Sequence, residues 1–196
     1  MRIGVDIDAV LNYSPKIMLE CGTKYCAETG RGELIDPGAH DLKKKFSWDQ
    51  EVRDDFWYRY AWEQMWVRPA QAYASEVIKK LKSEGHEIWI TTGRSNHDAR
   101  VQGMPEDETW EEVTRAWLKK NDVVYDRLCF DVQDKGGFCR AENVELMIED
   151  NMHFLVTFDE HTRVLIFDYP YNREIDLPNA VRVYSWYDIY NKIREM

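Results

Sequence analysis

Residues 2–10 read RIGVDIDAV, a short apolar and β-branched run that stops at two aspartates, Asp6 and Asp8. Such a run predicts a buried strand of a parallel sheet, with the two carboxylates at its carboxyl end. In open α/β sheets, ligands bind outside the carboxyl ends of the strands. This stretch therefore predicts both the class of fold and the place of a ligand site.

From residue 70 onward, predicted strands alternate with predicted helices. The strands have the sequences HEIWI (86–90), RLCFDV (127–132), VELMI (144–148), RVLIFD (163–168) and AVRVYS (180–185). Helical patterns cover residues 72–85, 108–120 and 185–196. Alternation of this kind predicts a Rossmann-like, three-layer α/β/α fold with a parallel sheet and helices on both of its faces.

Residues 12–68 interrupt this alternation directly after the first strand. Ser14, which a proline follows, favours the N-cap of a helix, and the aromatic-rich segment 48–65 favours a second helix. The segment contains no strand-like run. We therefore expect a core domain formed by residues 1–11 and 69–196, with residues 12–68 inserted as a small helical domain.

The composition narrows the class of protein. Of 196 residues, 44% are hydrophobic and 32% are charged, which is typical of a globular domain, and the net charge is −10. So acidic a chain is a poor generic binder of nucleic acid or of an anionic membrane. The four cysteines lack zinc-site spacing, and no apolar run suits a signal peptide or a membrane span. We expect a cytoplasmic monomer or homodimer with reduced thiols.

Polar side chains collect where several predicted strands end. They are Asp6 and Asp8 after the first strand, Thr91, Thr92, Gly93 and Arg94 after HEIWI, Glu149, Asp150 and Asn151 after VELMI, and Lys135 in a DKGG loop. Clustered carboxylates favour a hard cation such as Mg²⁺, and a threonine hydroxyl, backbone N–H groups and an ammonium can hold phosphate oxygens. The set therefore predicts phosphoryl-transfer chemistry. By itself, Arg94 is expected to be a salt-bridge or surface residue.

Four segments, in this order, resemble the motifs of the haloacid dehalogenase-like (HAD) phosphatases: DIDAV (6–10), ITTGR (90–94), Lys135 and IEDN (148–151). The match spans about residues 1–155, and the inserted helices resemble the C1 cap of that family. The pattern is similar to small nucleotidase-like proteins related to cytosolic 5′(3′)-deoxyribonucleotidases. The resemblance implies a Mg²⁺-dependent phosphomonoesterase that works through an aspartyl-phosphate, with a 5′-nucleotidase for (deoxy)nucleoside monophosphates as the favoured interpretation.

The resemblance also implies roles for the acidic residues. Asp6 would be the nucleophile, and Asp8 would be the general acid and then the base that activates water. The Mg²⁺ ligands would be Asp6, the backbone carbonyl of Asp8, and Asp150. Glu149 would contact the metal indirectly. Because the fourth motif reads Glu-Asp rather than Asp-Asp, the assignment between residues 149 and 150 stays open.

The same resemblance implies that Thr92 and Gly93 bind phosphate, with Thr91 as the adjacent candidate. Lys135 would balance the charges of Asp6 and of the phosphate, although the lysines at 119 and 120 compete for that role. The sequence departs from the family at Ala9, where the family often has glycine. We therefore expect a turn there that avoids the backbone conformations reserved for glycine.

The substrate is expected to be a small phosphorylated metabolite, most simply a nucleotide. Trp57, Tyr58 and Trp62 of the insert are candidates to stack on its base, while most other aromatic residues there are expected to form the core of the insert. One alternative is a phosphatase for another small metabolite, and another is a polynucleotide 3′-phosphatase. The latter would need a basic open groove, for which the net charge of −10 gives no support. A receiver-like or non-catalytic phospho-ligand-binding module is a more distant alternative.

Overall fold

The computed structural model describes the backbone of residues 1–196 and all side chains except those of residues 64 and 65. Within this described part, the strands of one parallel sheet are β1 (Arg2–Val5), β2 (Glu87–Thr91), β3 (Arg127–Cys129), β4 (Leu146–Glu149), β5 (Arg163–Phe167) and β6 (Ala180–Val183). Their order across the sheet is β3-β2-β1-β4-β5-β6. The Rossmann-like parallel sheet predicted from the alternation is therefore confirmed.

Helices connect these strands. They are α1 (Ser14–Thr29), α2 (Leu42–Lys45), α3 (Gln50–Trp62), α4 (Ala74–Ser83), α5 (Trp110–Lys120), α6 (Lys135–Ala141), α7 (Met152–Leu155) and α8 (Trp186–Arg194). A π-helical turn at Glu63–Val67 extends α3, and a short 3₁₀ turn covers Pro170–Asn172. Among the helices described, none combines the length and apolar composition needed to cross a membrane.

The core lies on both faces of the sheet. On one face, apolar residues of α4, α5 and α8 pack against strand residues such as Ile3 and Val5, which are fully buried. On the other face, Cys139 of α6 and Leu155 of α7 pack against Met147. Burying each large aliphatic side chain contributes about 1.5–3 kcal/mol, so the two layers fix β1 and its loop in the centre of the sheet.

Residues between β1 and α4 form an aromatic cluster of their own. The rings of Phe46 and Trp48 stack at 4.1 Å, and the edge of Tyr25 meets Trp48 at 5.4 Å. The predicted N-cap at Ser14 is wrong by one residue, because Tyr13 occupies the cap position and the side chain of Asn12 accepts the Ser14 N–H (2.9 Å). The division into a core domain and an inserted domain stays a prediction.

Candidate active site

The register of the central strands brings together the acidic residues of two motifs. Val5 of β1 pairs with Ile148 of β4, so the residues that follow them, Asp6 and Glu149, lie side by side. Asp6, Glu149 and Asp150 each offer a carboxylate oxygen, and these oxygens lie within 4.8 Å of one another. All three side chains are buried, so little water is available to screen their mutual repulsion.

The ammonium of Lys135 lies inside this acidic cluster. Its Nζ donates to Asp6 Oδ1 at 2.5 Å and to Glu149 Oε2 at 2.6 Å, and the side chain is fully buried. Lys135 is the first residue of α6, so its placement in a loop was wrong. Lys120 was an alternative candidate for this role. Its Nζ instead donates to the backbone oxygen of Trp66 (3.0 Å), outside the acidic cluster.

Glycine lets α6 approach closely enough for Lys135 to reach the acids. A Cβ atom on Gly136 would lie 1.9 Å from the backbone oxygen of Thr157, so no larger residue fits without moving the helix. The carboxylate of Asp134 caps the helix by accepting the N–H of Gly137 (2.9 Å). The DKGG sequence therefore fixes the start of the helix and the position of its lysine.

One ammonium cannot neutralise three buried carboxylates. Burial raises the pKa of Asp6 to about 7, and the charges of Glu149 and Asp8 add to this rise while Lys135 opposes it. Burial, together with the charges of Glu149 and Asp6, also raises the pKa of Asp150 well above its ordinary value. Although burial opposes it, the attraction of Asp6 and Glu149 raises the pKa of Lys135, which stays charged. The cluster can accept further positive charge.

The hydrogen bonds of the cluster show which acid has capacity for a cation. Glu149 is satisfied by the protein, because its Oε1 accepts the N–H groups of Asp150 and Asn151 (both 2.9 Å) and its Oε2 binds Lys135. Asp150 Oδ2 accepts the hydroxyl of Tyr171 at 2.5 Å. Its Oδ1 is buried and has no hydrogen-bond partner among the described residues. A buried carboxylate oxygen without a hydrogen-bond partner is unfavourable unless a ligand binds it. Because all the candidate ligand atoms here are oxygens, the site fits a hard cation such as Mg²⁺.

Sequence reasoning did not identify Tyr171. Its ring stacks on Tyr169 at 5.4 Å, and Tyr169 in turn donates its hydroxyl to the backbone oxygen of Ala9 (2.8 Å). Burial and the charge of Asp150 raise the pKa of Tyr171, so it stays a neutral donor to that carboxylate. No motif points to this residue, because it lies beyond the four segments that resemble a known family.

Arg94 forms a bidentate ion pair with Asp8. Arg94 Nη2 donates to Oδ1 (2.7 Å) and Nε to Oδ2 (2.9 Å), while Asn12 also donates to Oδ1 (2.9 Å). The arginine side chain is 5% exposed and that of Asp8 is 43% exposed. Loss of water around Asp8 favours its neutral form, but Arg94 outweighs this effect and lowers the pKa of the carboxyl. The expected salt bridge of Arg94 is confirmed, and it joins a predicted catalytic residue.

A cavity of about 200 Å³ lies above the cluster. Its walls include Asp6, Asp8, Ala9, Ser14, His40, Thr92, Gly93, Arg94, Asp150, Asn151 and Phe154. The Thr92 hydroxyl oxygen accepts the N–H of Arg94 (3.2 Å), which leaves its own proton free for a ligand oxygen. The structure does not bring Thr91 to this cavity: side chains alternate along β2, and its hydroxyl faces the backbone oxygen of Trp89 at 3.5 Å.

The turn after β1 is built differently from our expectation. Ala9 has a φ of +67°, so this alanine adopts the left-handed conformation that the turn was expected to avoid. Three hydrogen bonds hold it there: its N–H donates to Asn12 Oδ1 (2.9 Å), and its carbonyl accepts from Gln71 (3.0 Å) and Tyr169 (2.8 Å). These contacts offset a backbone cost of about 1–2 kcal/mol.

A larger cavity of about 660 Å³ adjoins the first and shares five lining residues with it, which are Asp8, Ser14, His40, Arg94 and Asn151. Trp57 is one of the three aromatic residues of the insert that were predicted to contact the substrate, and it lines this cavity. The other two lie elsewhere. Tyr58 is exposed, and Trp62 stacks on Trp66 at 5.5 Å. Of the three candidates, Trp57 is therefore the one that a ligand in this cavity could contact, and its role in base stacking stays a prediction.

Comparisons with known proteins identify the family of this chain. A family model described as 5′ nucleotidase, deoxy (Pyrimidine), cytosolic type C protein matches residues 1–196. A nucleotidase of Clostridium acetobutylicum is 26% identical over 142 residues, which cover 71% of this chain and 67% of that protein.

Solved structures share the fold at low sequence identity. A protein described as a predicted phosphatase from Clostridium acetobutylicum superposes with a TM-score of 0.62 at 12% identity, covering 100% of this chain and 98% of that one. A HAD-superfamily hydrolase, subfamily IA, from Geobacter sulfurreducens gives a TM-score of 0.58 at 14% identity, covering 97% and 98%. The resemblance drawn from the four motifs, and the α/β fold it implied, are confirmed.

Proposed function

Because this chain belongs to the cytosolic type C 5′-nucleotidase family and is a hydrolase of the HAD type, we propose that it hydrolyses 5′-(deoxy)nucleoside monophosphates through an aspartyl-phosphate on Asp6. The observation that carries the proposal is the pairing of the buried Asp6 carboxylate with the fixed ammonium of Lys135. Lys135 holds one oxygen of Asp6 at 2.5 Å, beside the unpartnered Oδ1 of Asp150 and under a cavity that holds Thr92.

The first half-reaction transfers the phosphoryl group to the protein. A free carboxylate oxygen of Asp6 attacks phosphorus while the bond from phosphorus to the substrate's 5′ oxygen breaks. Asp8, in its protonated form, gives its proton to that leaving oxygen. Thr92 donates a hydrogen bond to a phosphate oxygen, and Lys135 keeps the attacking carboxylate in place.

The second half-reaction returns Asp6 to its starting form. Asp8 takes a proton from water, the water oxygen attacks phosphorus, and the bond from phosphorus to the Asp6 oxygen breaks to release inorganic phosphate. The ion pair with Arg94 keeps Asp8 ionised in the resting protein, which is the form needed at this step. For the first step Asp8 must take up a proton, and the negative charge of the arriving phosphate favours that uptake.

We propose Mg²⁺ as the cofactor, held by the side chains of Asp6 and Asp150 and by the backbone carbonyl of Asp8. When bound, the ion supplies charge neutralisation for the phosphate oxygens and for the acidic cluster. The unpartnered oxygen of Asp150 favours this residue over Glu149 as the direct ligand, since the protein already satisfies both oxygens of Glu149. We propose cytoplasmic location as well, because the four cysteines are free of disulfide bonds in the structure.

Phosphate release from a substrate panel tests the proposal. The panel contains 5′- and 3′-(deoxy)nucleotides, deoxyribose 5-phosphate and a 3′-phosphorylated oligonucleotide, each with Mg²⁺. We expect preference for 5′-nucleotides and loss of turnover in Asp6→Asn, while Asp107→Asn, at an exposed aspartate, stays active. Turnover by Asp6→Asn would contradict the nucleophile. Preference for the oligonucleotide would replace the nucleotidase by a polynucleotide 3′-phosphatase.

A further inference from the structure

We infer that Lys45 selects the substrate by its leaving group, donating a hydrogen bond to a carbonyl oxygen of the nucleobase. This inference rests on the proposed nucleotidase function and deepens it. Lys45 ends α2, a short helix that Asp41 caps by accepting the N–H of Lys43 (3.0 Å). The sequence shows three consecutive lysines, and nothing in it separates the third from the others.

Burial singles out Lys45 from its neighbours. It is 3% exposed, whereas Lys43 and Lys44 are exposed to solvent. The next residue, Phe46, is fully buried and stacks on Trp48, which anchors the end of α2 in the aromatic cluster. The backbone therefore turns Lys45 inward, and an inward ammonium costs free energy unless it finds acceptors.

Lys45 has fewer acceptors than it can use. Its Nζ donates to the backbone oxygen of Pro37 at 3.1 Å, and the salt bridges found among the described residues do not include Lys45, although the charge of Asp36 attracts it. An ammonium has three donors, so two remain for a ligand. Burial lowers the pKa of Lys45, and the attraction of Asp36 offsets this effect only in part.

Other charged residues of the same cavity are already engaged. Arg53 donates to the backbone oxygen of Trp48 (2.7 Å) and to Gln50 Oε1 (2.6 Å). Asp54 accepts from Gln50 (2.7 Å), and Arg94 is paired with Asp8. Lys45 is therefore the buried cation of this cavity with donors to spare.

Position decides which part of a substrate Lys45 would contact. It lines the cavity of about 660 Å³ but not the cavity of about 200 Å³ that holds Asp6 and Thr92. A phosphate bound over Asp6 occupies the small cavity, and its leaving group extends into the large one. There Lys45 shares the walls with Trp57, Met18 and Leu42. A flat ring that carries a carbonyl oxygen suits this combination of aromatic, apolar and donor groups.

Kinetics of Lys45→Met test the inference, with Lys44→Met as the matched control on the same helix. Thymidine 5′-monophosphate has base carbonyls, deoxyadenosine 5′-monophosphate has none, and deoxyribose 5-phosphate has no base. For the thymidine nucleotide we expect Lys45→Met to lower kcat/KM about 10- to 100-fold, through KM, because a hydrogen bond to a charged donor is lost. The other two substrates should change less than about threefold, and Lys44→Met should behave as the wild type.

Three results would overturn the inference. One is an unchanged kcat/KM for the thymidine nucleotide in Lys45→Met. Another is an equal loss for deoxyribose 5-phosphate, which would place the lysine against sugar or phosphate. A third is a selective loss for a 3′,5′-bisphosphate, which would make a second phosphate the acceptor.

Two measurements keep the test independent of folding and of turnover. If Lys45→Met fails to fold, the wild type must still prefer the thymidine over the deoxyadenosine nucleotide by at least tenfold, and equal kcat/KM values count against the inference. If the wild type releases no phosphate, the proposed function fails. Calorimetric binding of the two nucleotides to wild type and Lys45→Met then decides the role of Lys45 separately.

Discussion

Replacing Lys135 by methionine removes the cation that two buried carboxylates share. In the wild type, Nζ lies 2.5 Å from Asp6 and 2.6 Å from Glu149, and the lysine and Glu149 are fully buried. Methionine keeps most of the side-chain volume, so the cavity left behind is small and the effect is electrostatic. Breaking a buried ion pair by removing one partner costs about 3–5 kcal/mol, which is a large part of a stability of about 5–15 kcal/mol.

Urea denaturation with EDTA present measures this loss. We expect the unfolding midpoint of Lys135→Met to fall by about 1–5 M, which is the loss of about 3–5 kcal/mol divided by an m-value of about 1–3 kcal/mol per M. Lys119→Met, at an exposed lysine of α5, is the control and should stay within about 0.5 kcal/mol of the wild type. With Mg²⁺ in place of EDTA, the variant should gain more stability than the wild type, because the variant's site carries more negative charge.

The reasoning fails if Lys135→Met and Lys119→Met lose the same small amount of stability. That result would mean that Asp6 and Glu149 do not depend on the ammonium, and that the acidic cluster is solvated or protonated in the metal-free protein. A large loss that Mg²⁺ does not reduce would instead point to packing around the lysine chain rather than to charge.

Three further changes probe the site. Arg94→Lys should lower kcat more than it raises KM, because one ammonium cannot make both hydrogen bonds to Asp8; steady-state kinetics showing the reverse split would contradict this. Gly136→Ala should destabilise the protein by about 2 kcal/mol or more, because its Cβ would meet the backbone of Thr157; an unchanged thermal midpoint would contradict the close approach of α6. Ala9→Gly should raise the free energy of unfolding by about 0.5–1 kcal/mol, because glycine relieves the left-handed strain; a loss of stability in urea would argue against it.

The local pattern of the chain was sufficient for the strands and for most of the motif residues. Each predicted strand lies where its apolar run does, and Asp6, Thr92, Lys135 and Asp150 all meet at one cavity or its floor. The prediction succeeds because the carboxyl ends of parallel strands lie at the same edge of the sheet. Polar residues that follow the apolar runs in sequence therefore come together at that edge. The choice between Thr91 and Thr92 needed one more fact, the exact end of β2.

The predictions that failed concern conformations held by distant residues. Ala9 takes a left-handed conformation because Gln71 and Tyr169, far away in sequence, hold its carbonyl. Trp62 stacks on Trp66 and packs with Val101 and Trp110, which are distant in sequence, and it lines neither cavity. Propensity describes a residue and its neighbours, so it cannot anticipate such contacts.

Only the tertiary structure decided which charges meet. Arg94 and Asp8 are 86 positions apart, and Tyr171 and Asp150 are 21 apart, yet each pair shares hydrogen bonds in the site. Lys45 looks like its two neighbours in the sequence, and only the tertiary structure shows that it is buried while they are exposed. Hydrophobic periodicity is a property of neighbouring residues, so the sequence by itself determined the strands of the sheet. The partner of a buried charge depends instead on which distant groups the packing places beside it.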